Sequence, residues 1–159
     1  MPTSNSILPQ RKHLPHDIPS WVQQGARHFI TINCLPRGTD TLCHDTMAEA
    51  LLTGIIEYER LGRWYIWLAL IMPDHLHMIV TFDLQRGIQA TLTAWKGFQA
   101  KELGIKWQSG FFEHRLRTGN EFNEKAAYIR MNPVRKRLVE SPELWPYVLD
   151  HNGREIAEK

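Results

Sequence analysis

The sequence has few cysteines, no long apolar run and no bias toward the small polar residues of disordered chains. Its two cysteines, Cys34 and Cys43, form neither a CxxC pair nor a disulfide framework, so a reducing cytoplasm is the expected location. No apolar run approaches the roughly 20 residues that span a bilayer, and the first residues lack a signal-peptide core, so no membrane association is expected. With 10 glycines and 9 prolines in 159 residues, the chain has the size and composition of one globular domain.

The small net charge of +2 conceals an uneven distribution of charge along the chain. Residues 40–83 contain two basic and seven acidic side chains, a net of −5. Residues 84–139 contain eleven basic and four acidic side chains, a net of +7. Such polarity is typical either of an ordinary solvated surface or of a phosphate-binding face built from the second half.

Hydrophobic patterning predicts the order β-α-β-β-α-β, followed by a C-terminal helix. The predicted strands are 27–34, 64–72, 75–82 and 110–119, and the predicted helices are 46–61, 86–103 and 121–132, with Asp45 as N-cap and Gly62 as terminator of the first helix. This order is typical of a ferredoxin-like α+β sandwich with an antiparallel sheet, whose two main helices leave the other sheet face open. Residues 1–24 are predicted to form an extended arm, residues 25–148 the domain, and residues 149–159 a C-terminal tail.

Two histidines interrupt the apolar run LIMPDHLHMIV at residues 70–80. Side chains at positions i and i+2 of a strand leave the same face about 6.6 Å apart, so His75 and His77 share one face. The alternate residues, which would face the core, are all apolar: Leu76, Met78, Val80 and Phe82. The hairpin therefore has an apolar side and a side that carries half of a candidate metal site.

The C-terminal helix supplies candidate partners for the two histidines. Tyr128 and Asn132 are separated by one helical turn, about 6 Å, and therefore share a face. An apolar stripe elsewhere on this helix, formed by Phe122, Ala126 and Ile129, leaves that face free to point at the open side of the sheet. Asn132 offers an amide oxygen to a divalent ion, and Tyr128 offers a phenol.

Four stretches of the chain together resemble the single-tyrosine HUH transposases, and most of all the bacterial REP-associated tyrosine transposases. They are ARHFITINC, WYIWLALIMPDHLHMIVTF, KGFQAKELGIKWQSGFFEHRLR and AAYIRMNPVRKRLVESPELWPY, within residues 20–148. The pairing of MPDHLHMIV with YIRMNPVRKRLV is the specific part of the resemblance. Asp74 departs from the asparagine common in the family, which is expected to be harmless at a turn. The tail after Pro146 lacks the serines often found there, which leaves its DNA contacts in doubt.

The resemblance implies a metal-dependent enzyme that cleaves and rejoins single-stranded DNA at repetitive extragenic palindromic hairpins. His75, His77 and Asn132 would hold Mg²⁺ or Mn²⁺, and Tyr128 would attack phosphorus to give a 5′-phosphotyrosine. Imidazole ligands favour Mn²⁺ over Mg²⁺, which prefers oxygen. The partner would be single-stranded or hairpin DNA. A homodimer is also compatible with the resemblance, because related transposases include dimers in which one chain's tyrosine helix serves the other's metal site.

Basic side chains in the second half are predicted to contact DNA phosphates. These are Arg115, Arg117, Arg130, Arg135, Lys136 and Arg137, together with Lys96 and Lys101 on the second main helix and Arg11 and Lys12 in the arm, beside His13 and His16. The second main helix and the segment after it also interleave aromatic with basic residues (Trp95, Lys96, Phe98, Lys101, Lys106 and Trp107). That pattern suits base stacking, and it suits equally a helix with one core face and one wet face.

Three other functions fit parts of the sequence. The main alternative is a non-catalytic DNA- or RNA-hairpin-binding protein of the same fold, although such a protein has no reason to retain both HxH and YxxxN. A structural zinc site could use Cys34, Cys43, His44 and the HxH pair, but the spacing is unlike that of common zinc fingers. Replication initiators and relaxases use similar metal chemistry, but their chains are usually longer.

Overall fold

The computed structural model describes residues 19–150, which fold into one five-stranded sheet with helices on both faces. Its helices are α1 (Ser20–Gln24), α2 (Met47–Arg60), α3 (Gly87–Leu103), α4 (Gly119–Arg130) and α5 (Asn132–Arg135), and its strands are β1 (Arg27–Asn33), β2 (Trp64–Met72), β3 (His75–Phe82), β4 (Phe112–Leu116) and β5 (Val148–Asp150). The order from β1 to β4 confirms the ferredoxin-like β-α-β-β-α-β arrangement. Within the described residues, no helix is long and apolar enough to cross a membrane.

The sheet is antiparallel, with the strand order β4-β1-β3-β2-β5. Strands β2 and β3 are central, and every residue of both is buried. The continuous apolar run of β2 predicts this burial, whereas the alternating pattern of β3 does not. Pro73 and Asp74 form the turn between them, and this turn sets Met72 opposite His75 in the hairpin register. At one edge lies β4, only five residues long, whose first four side chains are exposed.

The two faces of the sheet are covered by different helices. Helices α2 and α3 bury Leu51, Ile55, Leu92 and Trp95 against one face of the sheet. These side chains form a single core with every second residue of β3, from Leu76 to Phe82. On the other face, the apolar stripe of α4 packs with Tyr65, Trp67 and Ile79. The histidines leave β3 on this second face. The side predicted to be open is thus covered in part by the tyrosine-bearing helix itself.

Several predicted boundaries are wrong in informative ways. Asp45 does not cap α2: Thr46 occupies the N-cap position without a side-chain hydrogen bond, and Asp45 has a positive φ of 52°. The expected extended arm is wrong for its last five residues, which form α1 and bury Val22. The expected tail begins too early, because Leu149 and Asp150 belong to β5. The remainder of the arm (1–18) and of the tail (151–159) lies outside the described residues.

The predicted C-terminal helix is two helices separated by a break. Thr118 caps α4, its hydroxyl oxygen accepting a hydrogen bond from the backbone N–H of Glu121 at 3.0 Å. The helix ends at Arg130, and α5 begins at Asn132, followed by Pro133. Proline lacks an N–H, so Pro133 cannot continue the backbone hydrogen bonds of α4, which explains why the helix is interrupted near this position.

Two glycine substitutions should have opposite effects on stability. A Cβ on Gly25 would lie 2.6 Å from Thr81 Cγ2 and 2.9 Å from the carbonyl oxygen of Trp21, whereas a Cβ on helical Gly97 meets nothing within 4 Å. We expect Gly25→Ala to lower the free energy of unfolding by about 1–3 kcal/mol. Gly97→Ala should raise it by about 0.5–1 kcal/mol, because alanine loses less backbone entropy on folding. Urea denaturation of the two variants checks this. Equal effects would contradict the close approach of α1 to β3.

Candidate active site

The two histidines of β3 lie side by side on the sheet face that α4 partly covers. Their ring centroids are 4.7 Å apart, and their exposed fractions are only 7% for His75 and 6% for His77. Burial of an imidazole disfavours its charged form unless a partner compensates. A neutral imidazole carries its proton on only one of its two nitrogens, and the hydrogen-bond partners of each ring bear on which nitrogen that is.

His77 is fixed by neighbours on β1. Thr31 is its register partner, and the Thr31 hydroxyl lies 2.9 Å from Nδ1 of His77. The ring of Phe29 stacks on the imidazole with centroids 5.4 Å apart. Burial, reinforced by the charges nearby, lowers the pKa of His77 to about 3. His77 is consequently neutral at physiological pH, and its Nδ1 is engaged by Thr31.

His75 is fixed by the residue before it. Its Nδ1 lies 2.8 Å from Oδ1 of Asp74, so the ring donates from Nδ1 and keeps the lone pair on Nε2. Burial lowers the pKa of His75, and the bond to Asp74 opposes this effect only in part. Both histidines are thus neutral imidazoles, which is the form that binds metal ions.

Asn132, at the start of α5, is the third residue of the candidate metal site and forms a buried trio with His75 and His77. It is 4% exposed, and its Nδ2 lies 3.4 Å from Nε2 of His75. Although the predicted single helix is broken at Met131, Asn132 at the start of α5 still points at the histidines. The amide nitrogen faces His75, so an ion bound by the amide oxygen, as the sequence predicts, requires the amide to turn over.

Tyr128 lies at the rim of the buried trio. Its ring centroid is 6.3 Å from that of His77, and the residue is 47% exposed. The guanidinium of Arg135 lies 4.1 Å from the ring centroid and donates to the Tyr128 carbonyl at 2.9 Å, while the ammonium of Lys125 lies 5.0 Å from the ring. The phenol is therefore accessible to a large substrate and is flanked by two cations.

Four cations act on the two histidines electrostatically. Arg37, Lys125 and Arg135 each lower the pKa of His77, and Arg37 and Lys136 each lower that of His75. Arg135 and Lys136 are among the basic residues predicted from the sequence, whereas Lys125 and Arg37, which lies in an irregular loop, are not. The spacing of Lys125, one turn before Tyr128 on the same helix, was a signal that could have found it. Two neutral imidazoles surrounded by cations form a site that suits a negatively charged substrate.

The donor set fits a divalent ion that accepts nitrogen and oxygen ligands. It offers two neutral imidazoles, each with one ring nitrogen held by a fixed partner, together with one amide. No group of three or more His, Cys, Asp or Glu side chains that could hold a metal ion is present among residues 19–150, so any bound ion would need Asn132, water or substrate oxygen as well.

The same observations weaken the zinc alternative. Burial raises the pKa of both Cys34 and Cys43 to about 12, and among residues 19–150 neither belongs to a group of His, Cys, Asp and Glu side chains that could hold a metal ion. The Cys43 thiol instead contacts the carbonyl oxygen of Ile71 at 3.6 Å.

Of the basic side chains predicted to contact DNA, some are exposed to solvent and others bond to groups within the protein. The exposed ones are Arg115, Arg117, Arg135, Lys136, Arg137 and Lys101. Arg130 instead makes a bidentate ion pair with Asp150 of β5, at 2.6 and 2.9 Å. Lys96 donates to the carbonyls of Gln108 and Gly110 at 3.0 and 2.6 Å, and burial lowers its pKa. Arg11, Lys12, His13 and His16 lie outside the described residues.

The aromatic residues of α3 and its following loop belong mainly to the core. Trp95 is fully buried and cannot stack on a base, and the indole N–H of Trp107 donates to the Lys96 carbonyl at 3.0 Å. Phe98 is 56% exposed. A helix with one core face and one wet face therefore describes α3 better than a base-stacking platform does.

Comparison with known proteins places this arrangement in context. No protein-family model matches the chain. A REP-associated tyrosine transposase of Escherichia coli (strain K12) is 28% identical over 139 residues, which cover 84% of this chain and 81% of that protein. The resemblance predicted from the sequence is confirmed. A solved structure of a REP-associated tyrosine transposase, bound to a REP hairpin, shares the fold with a TM-score of 0.71 at 24% identity, covering 93% of this chain and 86% of that one.

Burial of the neutral histidines makes stability depend on pH. An unfolded chain protonates His77 near pH 6.5, but the folded chain does so only near pH 3, so the unfolded state binds more protons between these values. With a chelator present, we expect the free energy of unfolding to fall as pH drops from about 6.5 to about 5. His77 contributes at most about 1.4 kcal/mol per pH unit. Urea denaturation across this range should show a flatter dependence for His77→Gln and an unchanged one for His114→Gln, whose side chain is exposed. A His77→Gln slope equal to that of the wild type would contradict the buried neutral imidazole.

Proposed function

We propose that this protein is a metal-dependent single-stranded DNA transposase that cleaves and rejoins DNA at repetitive extragenic palindromic hairpins through a 5′-phosphotyrosine. The observation that carries the proposal is the convergence of Tyr128, His75, His77 and Asn132 from two regions more than 40 residues apart in sequence. A fold alone does not reveal activity, but this set of groups has a defined chemistry. Two similar proteins support the choice of substrate: one is named a REP-associated tyrosine transposase, and the other is a REP-associated tyrosine transposase bound to a REP hairpin.

The surroundings of the site suit a phosphodiester. The half-exposed Tyr128 ring is held by Arg135 and Lys125, and Arg37 and Lys136 add positive charge on the histidine side. These cations attract the DNA backbone and offset the negative charge that grows on phosphorus oxygens during attack. The buried imidazoles remain neutral and so add no repulsion toward a metal ion.

The reaction proposed is a transesterification. The phenolic oxygen of Tyr128 forms a bond to phosphorus, the bond from phosphorus to the 3′ oxygen breaks, that oxygen gains a proton, and the phenolic proton leaves to solvent. A divalent ion held by His75, His77 and Asn132 would polarise a non-bridging phosphate oxygen. Because the phosphotyrosine retains the energy of the broken bond, attack by a new 3′-OH rejoins the strand without ATP.

A single chain supplies the whole set of residues. Tyr128 lies beside His77 of its own chain, so the proposed site is complete without a second copy. We therefore propose that the tyrosine helix acts in cis. The homodimer compatible with the resemblance is not needed to assemble the site.

The main alternative is a hairpin-binding protein of the same fold that performs no cleavage. Its DNA contacts would be the same, and incubation with hairpin DNA separates the two functions. A labelled single-stranded hairpin with Mn²⁺ should yield an SDS-resistant protein–DNA adduct if the protein is an enzyme. Binding without any adduct would favour the alternative.

Substitutions in the site should reduce adduct formation in a defined order. Tyr128→Phe removes one oxygen and keeps the ring, so hairpin affinity and Mn²⁺ affinity should stay near wild type while the adduct falls to background. His75→Ala should weaken Mn²⁺ binding and leave less adduct than Asn132→Ala, because water can replace an amide oxygen more readily than an imidazole. Adduct yield across a Mn²⁺ titration measures the order.

Tyr147→Phe is the matched control for Tyr128→Phe. The Tyr147 ring lies in the segment leading to β5, with its centroid 5.4 Å from that of Trp145. Like Tyr128→Phe, the Tyr147→Phe substitution removes a single phenolic oxygen. Its adduct yield should equal that of the wild type. An adduct that survives Tyr128→Phe and is lost in Tyr147→Phe would transfer the nucleophile to Tyr147 and overturn the role of α4.

Hairpin binding should weaken steeply with salt, because each phosphate contact releases counterions. Neutralising Arg135, Lys136 and Arg137 together should reduce the slope of log affinity against log salt by about 2–3. Fluorescence anisotropy on a labelled hairpin at several salt concentrations measures it. Neutralising Arg60 and Arg63 in the acidic half should leave the slope unchanged. The reverse result would place the DNA backbone on the opposite side of the molecule.

A further inference from the structure

The turn residue Asp74 makes more contacts than a turn requires. It is 9% exposed, and one carboxylate oxygen, Oδ1, accepts from His75 Nδ1 at 2.8 Å. The other, Oδ2, accepts from the backbone N–H of Gly38 at 2.7 Å and from Nε of Arg37 at 3.0 Å. All three partners are donors, so both oxygens of the Asp74 carboxylate act as acceptors.

The loop after β1 holds the other side of this carboxylate. Arg37 also donates from a terminal nitrogen to Oδ1 of Asn33 at 2.6 Å, and Asn33 is the register partner of His75 across the sheet. The backbone N–H of Cys34 donates to the carbonyl of Asp74 at 2.9 Å. Asp74 is thus held from β1 and from its loop, and it holds His75 in turn.

We propose that Asp74, braced by Arg37 and the Gly38 N–H, is a positioning residue that fixes His75 in the tautomer with its proton on Nδ1 and its lone pair on Nε2. This rests on the proposed function only in that the Nε2 lone pair is taken to serve a divalent ion. A carboxylate that accepts from the far nitrogen of a ligating histidine orients the ring and increases its basicity. It also places one negative charge close to the site, which favours a cation.

An asparagine at this position could not replace the carboxylate. Its amide oxygen could accept from His75 or from the loop, but its NH₂ group would face donors on the other side. The donors at Gly38 and Arg37 would lose an acceptor, or His75 would. The substitution expected from the sequence to be harmless at a turn is therefore expected to matter in this chain.

Asp45 provides a matched control. It forms the same kind of contact with an adjacent histidine, Oδ2 lying 3.1 Å from Nδ1 of His44, but its side chain is 87% exposed. Asp74→Asn and Asp45→Asn remove the same charge from a histidine–aspartate neighbour pair. Only the first of these pairs is buried and includes a proposed metal ligand.

The test measures Mn²⁺ affinity and the His75 tautomer in the full chain without DNA. By calorimetry, Asp74→Asn should weaken Mn²⁺ binding about 10- to 100-fold, and Asp45→Asn should change it less than about twofold. Long-range ¹H–¹⁵N NMR on the metal-free protein should show His75 protonated at Nδ1 in the wild type and in Asp45→Asn, and a mixture of tautomers in Asp74→Asn. An unchanged tautomer with Mn²⁺ affinity within twofold of wild type would overturn the proposal.

Arg37→Gln keeps the test decisive if Asp74→Asn does not fold. It removes a positive charge near the site, so charge alone predicts tighter Mn²⁺ binding. Loss of the brace predicts weaker binding, which is the expected result; tighter binding would overturn the positioning role. A wild-type protein that binds no Mn²⁺ would instead refute the metal-dependent function, while the tautomer measurement would still decide the role of Asp74.

Discussion

The interaction on which the rest of the site depends is the hydrogen bond between each buried imidazole and a fixed acceptor or hydroxyl beside it. An imidazole ring in an apolar sheet face has two nitrogens to satisfy, and either can carry the proton. Thr31 occupies Nδ1 of His77, and Asp74 occupies Nδ1 of His75. Each contact leaves Nε2 without that partner, and Nε2 of His75 lies 3.4 Å from Nδ2 of Asn132 in α5. The Asp74 carboxylate can only accept and so sets the tautomer of His75, whereas the Thr31 hydroxyl can donate or accept and fixes the orientation of the His77 ring.

The position of the tyrosine follows from packing on the same face. Phe122, Ala126 and Ile129 of α4 are buried against the sheet, which rotates Tyr128 outward to the rim. At the far end of the helix, Arg130 is tied to Asp150, so α4 is fixed to the outermost strand as well as to the core. The tyrosine is thus exposed on a helix that is fixed to the core by its buried stripe and to β5 by Arg130.

Much of this arrangement was predictable from periodicity. Alternation in residues 75–82 separates the histidines from the core, and spacing of 3.6 residues places Tyr128 opposite the apolar stripe of its helix. The contacts that cross the chain were not predictable in this way. Arg37 reaches Asp74 over 37 positions through an irregular loop, and nothing in its local sequence distinguishes it from a solvated arginine. The same applies to β5, whose three residues pair with β2 only because the segment after α5 returns to the sheet. Lys96 and Arg130 are basic residues of the kind that bind DNA phosphates, but both bond to groups within the protein: Lys96 to backbone carbonyls and Arg130 to Asp150.

The short outer strand β4 has a consequence for how copies of the chain meet. A sheet edge with free N–H and C=O groups invites pairing with another strand, and proteins oppose this with short or charged edges. Glu113, His114 and Arg115 project from a strand of only five residues, and the opposite edge is closed by the three residues of β5. Neither edge offers a long apolar template, so growth of the sheet from molecule to molecule is disfavoured. Because both edges of the sheet are short, the protein is protected from aggregating by strand pairing between molecules.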